Sequence, residues 1–349
     1  MNGELSSGLP ALITSGNRIL RAESNTPVLL RGVNRSGLEY SEPNAEGFLA
    51  AARITREEIR EIVAGWRANV LRIPFNQDWC LNGRGGQSAG KYLAALDQTI
   101  AWAAEAGAYT ILDLQWLDVE TPYGTTEDPA QGRRPNYVPA TPNAETLPLW
   151  QMLAARYCGE TAVLFDLLNE PHDALPDDPH PVQLIGADGS LRNAEGRRFG
   201  AAEWSRWAAH LTAAIREIKP EGLILVGGVD WAFDLTGVRV DAPNLVYSTH
   251  IYPNRRQRDW PKALGRHGEA PVFVGEWGGT EEDLAFGRRL AARMEELGLG
   301  WTAWSWSDYP RLVEPGEASM FEPTGFGALV RQELSADGAG KKKRRYFFS

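Results

Sequence analysis

Eight short runs of apolar, often β-branched residues recur along the chain, separated by segments whose apolar residues return every three or four positions. The runs are VLLRGVN (28–34), NVLRIPF (69–75), YTILDLQW (109–116), AVLFDLLNE (162–170), GLILVGG (222–228), LVYSTHIY (245–252), PVFVGEW (271–277) and GWTAWSW (300–306). Nearly continuous hydrophobicity, rather than strict alternation, is what a parallel strand covered on both faces requires. The intervening segments read as amphipathic helices. TREEIREIVAGW opens with Thr55 and Glu58 at capping-box spacing and gathers Ile59, Ile62, Val63 and Trp66 on one face. Leu93, Leu96, Ile100 and Ala103 repeat the pattern. Thr280 and Asp283 cap a further helix, with Phe286, Leu290, Met294 and Leu297 facing inward. Eight strand–helix units without a linker or composition break predict a single α/β domain, a (β/α)8 TIM barrel over residues 1–340, followed by a basic tail, 341–349. ALITSGNRILRA (11–22) predicts a short β-hairpin ahead of the barrel. The competing architecture, a doubly wound sheet, wants a glycine-rich phosphate turn after its first strand, and RGVNRSGLEY is a poor match to one.

Composition narrows the possible partners. The net charge of −9 over 349 residues speaks against a nucleic-acid partner, which needs a basic face. The thirteen tryptophans imply either a rich core or flat aromatic walls for a ligand. Cys80 and Cys158 are far apart and read as free thiols. No run of about 18 apolar residues occurs, so no membrane span is expected. The opening MNGELSSGLP lacks the pattern of a signal peptide, which leaves a cytoplasmic protein or a removed leader. The five histidines include no HExxH, and PHDALPDDPH (171–180) lacks calcium-loop spacing and reads as a solvated loop, so no metal or other cofactor is expected. NRS at 34–36 fits a glycosylation sequon, but it falls at a strand end facing the cleft and reads as chance.

In a barrel of this kind, catalytic groups sit where the strands end at the C-terminal face and the packed interior stops. Glu170 occupies that level on the fourth run and Glu276 on the seventh, so two carboxylates from different strands face one another across the mouth. Arg72 closes the second run, His250 and Tyr252 the sixth, and Trp306 the eighth. Any one of these alone reads as an ordinary paired or structural residue; their convergence on one rim does not.

LLNEP resembles the acid/base signature of glycoside hydrolase family 5, the cellulase and mannanase family of retaining (β/α)8 hydrolases. The likeness extends over RGVNRSGLEY, VLRIPF, ILDLQW, LLNEP, VGGVDWAFDL, STHIYP, VGEWGG and WTAWSW in family order. It implies that Glu170 is the general acid/base and Glu276 the nucleophile. Asn169 would bind the sugar 2-hydroxyl, Arg72 would be the cation beside the nucleophile, His250 and Tyr252 the pair on the sixth strand, and Trp306 the platform under the sugar. One position departs: where the family has a histidine after DL, this chain has Gln115, which can hydrogen-bond a hydroxyl but cannot ionise. Trp116 and Trp231 are candidate walls for further subsites, with core packing as the competing reading.

The implied chemistry is double displacement at an anomeric carbon. Glu170 must begin protonated, and the nearby Glu276 anion is expected to raise its pKa. The expected substrate is a polysaccharide or oligosaccharide, a β-1,4-linked glucan first and a mannan, other β-glycan or glycolipid as alternatives. A barrel that only binds carbohydrate is the non-enzymatic alternative, and both intact acids speak against it. The resemblance further implies an extracellular or periplasmic protein, expected to be a monomer.

Overall fold

The computed structural model describes residues 8–117, 140–173, 182–193, 199–316 and 321–335. Most of the loop PHDALPDDPH and the basic tail lie outside them. The hairpin forms as expected, from β1 (Leu12–Ser15) and β2 (Arg18–Arg21), antiparallel, with Leu12 opposite Arg21.

Eight strands close a parallel barrel: β3 (Arg31–Asn34), β4 (Val70–Asn76), β5 (Tyr109–Trp116), β6 (Val163–Asp166), β9 (Ile224–Gly227), β10 (Leu245–Ile251), β11 (Val272–Trp277) and β12 (Gly300–Ala303). The two missing numbers are a small antiparallel hairpin, β7 (Gln183–Ile185) and β8 (Leu191–Asn193), inserted between β6 and β9. Its two strands are three residues each, too short to show a hydrophobic period in the sequence.

Two apolar layers hold the barrel. The inner one fills its lower half with Leu30, Val70, Ile111, Leu164, Leu225, Val246 and Phe273, and the hairpin residues Leu12 and Ile19 close it from below. The outer one packs alternate strand residues such as Leu71, Ile73, Leu112 and Val274 against the helices. The predicted helix faces are buried in that layer: Ile59, Ile62, Val63 and Trp66, then Leu93, Leu96, Ile100 and Ala103, then Phe286, Leu290 and Met294. Leu297 is only half-buried. Thr55 caps its helix by accepting from the Glu58 amide at 3.2 Å. The Glu58 carboxylate, however, turns to Arg35 (2.8 Å) instead of returning to close the box. Thr280 and Asp283 do form the reciprocal pair.

Period two sends Val70 and then Arg72 inward on β4, Ile111 and then Asp113 on β5, and Leu164 and then Asp166 on β6. One layer above the apolar plug, the interior therefore turns charged. On β11 the register shifts: Thr249 pairs Val274, but His250 pairs Glu276. Gly275 is the extra residue of a bulge, so Glu276, three positions after the inward Phe273, points inward as well. A Cβ at Gly275 would lie 2.6 Å from Ser248 Oγ and 3.0 Å from His250 Nε2, and glycine is what lets the bulge close.

Candidate active site

Arg72 is fully buried and organises the mouth of the barrel. Its Nε donates to Asp166 Oδ2 at 3.0 Å; Nη1 donates to Asn34 Oδ1 (3.0 Å) and Glu276 Oε1 (2.8 Å); Nη2 donates to Asn169 Oδ1 (3.0 Å). An ion pair from Nη2 to Asp113 at 2.8 Å completes the fork. Burial by itself would pull the guanidinium pKa down, but Asp113, Asp166 and Glu276 hold it above the ordinary arginine value. The acids show the converse. Burial, opposed by Arg72, pushes Asp166 up to about 6 and Asp113 well above its usual range.

Glu276 is 4% exposed and held from both sides. Arg72 donates to one oxygen, and the Tyr252 hydroxyl donates to the other at 2.6 Å. Burial and the charges of Glu276 and Glu170 keep the Tyr252 phenol protonated, its pKa well above the ordinary tyrosine value. Across the mouth, Glu170 lies beyond the end of β6, in a segment that bends but keeps hydrogen bonds to the neighbouring strands: Leu167 N donates to Leu225 O (3.2 Å) and Asn169 N to Leu114 O (3.0 Å). A Glu170 carboxylate oxygen, a Glu276 carboxylate oxygen and a His250 ring nitrogen all lie within 4.8 Å of one another.

His250 Nδ1 is 2.9 Å from Glu170 Oε1 and 3.6 Å from Glu276 Oε2. Burial depresses this imidazole to about 3, so it stands beside both acids as a neutral ring whose Nδ1 hydrogen-bonds Glu170. Glu170 keeps 16% of its side-chain exposure, yet burial of the carboxyl raises it to about 7, with His172, Arg72 and Arg255 opposing the rise. Burial, rather than the Glu276 anion expected from the sequence, is the main cause of the rise. These three residues are also a group among the described ones whose atoms could converge on a metal ion. Both Glu276 oxygens, however, already accept from Arg72 and Tyr252.

Asn169 uses Oδ1 on Arg72 and leaves its buried Nδ2 without a protein partner; Gln115, 7% exposed, likewise leaves Oε1 unpartnered. Buried polar atoms are nearly always paired, so two such orphans beside the acids mark where a hydroxyl-bearing ligand fits.

The tryptophans depart from expectation. Trp306 is not a platform. It is fully buried in the outer layer, 4.7 Å edge-on to Trp66 and 5.9 Å from Phe321, because β12 ends at Ala303 and the chain has turned outward by residue 306. Trp304, 9% exposed, is the first residue after β12; its amide donates to the carbonyl of Trp277, the residue after Glu276, at 2.9 Å, and its indole Nε1 donates to Tyr309 O at 3.1 Å. Trp116, at the end of β5, is 3% exposed and offers no broad face. Trp231 is half-buried and stacks on His172.

Sequence reasoning also passed over Asn34, Asp113 and Asp166. The signal was present: a single polar side chain at inward parity in an otherwise apolar run. Asn34, the sequon residue, is fully buried and hydrogen-bonded to Arg72 and to Gly275 O (3.0 Å), so its sequon is indeed coincidental. Cys80 and Cys158 are free thiols, as expected, and no described helix is long and apolar enough to cross a membrane.

Comparison with known proteins places this geometry. The chain is 22% identical to endoglucanase E-5 of Thermobifida fusca over 331 residues, covering 88% of this chain and 59% of that protein. It is 22% identical to the Microbulbifer endoglucanase MaCel5A, covering 84% of this chain and 50% of the relative. The chain thus spans a little over half the length of these curated relatives. The fold is shared with a Saccharophagus degradans β-glucanase solved in complex with cellotetraose, at a TM-score of 0.68 and 21% identity, covering 93% of each chain. Residues 22–310 match the family model described as cellulase (glycosyl hydrolase family 5). That match takes in both acids, every Arg72 contact and all eight barrel strands, and the chain belongs to glycosyl hydrolase family 5.

Proposed function

We propose that the chain is a retaining endo-β-1,4-glucanase, with Glu170 as general acid/base and Glu276 as nucleophile. The observation that carries this reading is the spacing of the two carboxylates, with oxygens within 4.8 Å. Retaining glycosidases hold their carboxyls roughly 5–5.5 Å apart because one must reach the anomeric carbon, whereas inverting enzymes leave about 6.5–9.5 Å for a water.

In the first step Glu276, fixed by Arg72 and Tyr252, attacks the anomeric carbon while Glu170 gives its proton to the departing oxygen. The C–O bond to the leaving sugar breaks and an ester to Glu276 forms. In the second, Glu170 takes a proton from water, which displaces Glu276 and restores both groups. A carboxyl poised at about 7 serves both directions near neutral pH. Asn169 Nδ2 donates to the 2-hydroxyl, a contact that tightens in the transition state. Gln115 Oε1 accepts from a hydroxyl of the same ring, and Trp304 lies under its apolar face.

The substrate follows from relatives named endoglucanases and from the cellotetraose bound to the Saccharophagus β-glucanase. The barrel carries the acids, Arg72 and the residues around them, which suits a single catalytic domain over residues 1–340, read as a monomer. Polymeric glucan lies outside the cell, so the site of action is the extracellular medium or periplasm.

Reducing-end release from carboxymethyl cellulose, mannan and xyloglucan tests the substrate, and preference for mannan would replace the glucan reading. Glu276→Ala should lower kcat on the order of 10⁴-fold or more with folding intact. Appreciable turnover in that variant would remove the nucleophile from this assignment.

A further inference from the structure

The turn after β9 holds three consecutive non-glycine residues in the left-handed region: Asp230 (φ 57°), Trp231 (φ 63°) and Ala232 (φ 55°). For a side chain as bulky as tryptophan this backbone is costly and persists only where surrounding contacts over-determine it, which happens mostly at functional sites. The contacts are present. Trp231 N donates to Pro171 O at 3.2 Å and His250 N to Ala232 O at 3.3 Å. Val229 and Asp234 exchange backbone hydrogen bonds of 3.0 and 2.8 Å across the turn. Arg255 clamps Asp230 through Nη1 to Oδ2 (2.7 Å) and Nη2 to the carbonyl (2.6 Å).

This turn lays the Trp231 indole flat on the His172 ring, with centroids 3.7 Å apart and planes 10° from parallel. His172 is 1% exposed. Its Nδ1 lies 2.6 Å from the backbone carbonyl of Glu170, and its own amide donates to Ala140 O at 3.2 Å. Trp231 keeps part of its surface open. The stack is therefore joined to the β6 side of the mouth, where Glu170 stands, whereas Trp304 follows β12 beside the nucleophile.

We propose that His172 is a positioning residue for the leaving-group side of the cleft. Its ring backs the indole that receives the departing sugar, and its Nδ1–H anchors the backbone of the acid that protonates that sugar's oxygen. Platform and acid are then held as one unit. The proposal rests on Glu170 being the acid/base.

Two substrates separate the roles. Cellotetraose places a sugar on the leaving-group side, whereas β-cellobiosyl fluoride does not, and its fluoride leaves with little protonation. His172→Ala should lower kcat/KM on cellotetraose about five- to tenfold, the worth of one aromatic pair, and change kcat/KM on the fluoride, which reports the first step alone, by less than about twofold. With added cellobiose as acceptor, the fraction of glycosyl-enzyme captured by sugar rather than water should fall in the same variant. His172→Phe keeps a flat ring without the Nδ1–H; it should restore acceptor capture while leaving cellotetraose hydrolysis impaired, and it carries the test if the alanine variant folds poorly. Equal losses on both substrates, or unchanged acceptor capture in His172→Ala, would overturn the proposal. Wild-type protein inert on cellobiosyl fluoride, or Glu170→Gln equally impaired on both substrates, would instead overturn the acid/base reading beneath it.

Discussion

Arg72 brings one positive charge to three buried carboxylates, Asp113, Asp166 and Glu276. A site so short of positive charge keeps acids protonated wherever burial dominates, and Glu170 is the functional case: burial carries it from 4.5 to about 7. The sign of the consequence is fixed. With Glu170 as the proposed acid, below about 7 it holds the proton the leaving oxygen needs, and above it that proton is lost. For a substrate with a poor leaving group, kcat/KM should fall tenfold per pH unit above about 7. Glu170→Gln should abolish that limb along with most activity on such substrates, while sparing the first step for good leaving groups. A limb that persists in the glutamine variant would assign the titration to another group. In stability the same shift works in one direction: the contribution is fully present below the unfolded value near 4.5, falls while the fold keeps a proton that the unfolded chain has lost, and is gone once pH has risen through about 7. At this scale the two acids, Arg72, His250, Tyr252 and Asn169 were readable from the sequence because they are polar groups near the C-terminal ends of runs that had to be strands, within motifs that resemble a family's. Asp113 and Asp166 lie in the same kind of run and passed as tolerated polar residues. The mistaken platform has a plain cause: position along the chain locates a residue near the mouth, but β12 ends at Ala303, and three residues further on Trp306 is buried against Trp66 and Phe321.

Elements, more than residues, decide whether Glu276 reaches the site. By strict alternation after Phe273 the inward positions on β11 would be Gly275 and Trp277; the bulge at Gly275 exchanges them for Glu276. Nothing in VFVGEW announces this except the glycine, and a single glycine in a strand is compatible with several local structures. The eight strands themselves were legible, since long apolar runs leave little choice. Their ends were not: AVLFDLLNE pairs as a regular strand only over Val163–Asp166, and GWTAWSW only over Gly300–Ala303. Gly275→Ala tests the role of the bulge. The added Cβ would sit 2.6 Å from Ser248 Oγ and 3.0 Å from His250 Nε2, and the imidazole cannot yield without leaving Glu170. Misplacement on the ångström scale should cost on the order of 10–100-fold in kcat. The overpacking should also lower the thermal midpoint, by about 1–3 kcal/mol of stability, and Ser248→Ala in the same chain should recover part of both losses. A variant with normal kcat would show that Glu276 does not depend on the bulge.

Over the whole molecule the barrel divides into a lower half that is apolar and closed and an upper half that is charged and open. Leu12 and Ile19 of the hairpin, with Leu30, Val70, Phe273 and their neighbours, form a plug beneath the Arg72 layer. The hairpin is tied in place by Tyr109 Oη to Pro10 O (2.7 Å) and by Thr14 N to Asn244 Oδ1 (2.9 Å), both at the end remote from the acids. The upper half spends stability on buried charge, and the lower half must supply it. Truncation at the plug should therefore affect folding alone. Leu12 is 1% exposed, and Leu12→Ala should cost about 2–5 kcal/mol. That loss would appear as a thermal midpoint lower by several degrees, with kcat and KM unchanged at temperatures well below the transition. The opposite pattern, a normal midpoint with reduced kcat, would mean that the plug transmits its packing through the Arg72 layer to the acids. Such coupling requires Val70 to shift Arg72 along β4. Arg72 resists that movement through four hydrogen bonds and an ion pair to residues on four other elements, β3, β5, β11 and the end of β6. The guanidinium thus insulates the chemistry from the packing below it, and for this reason the two halves should fail separately.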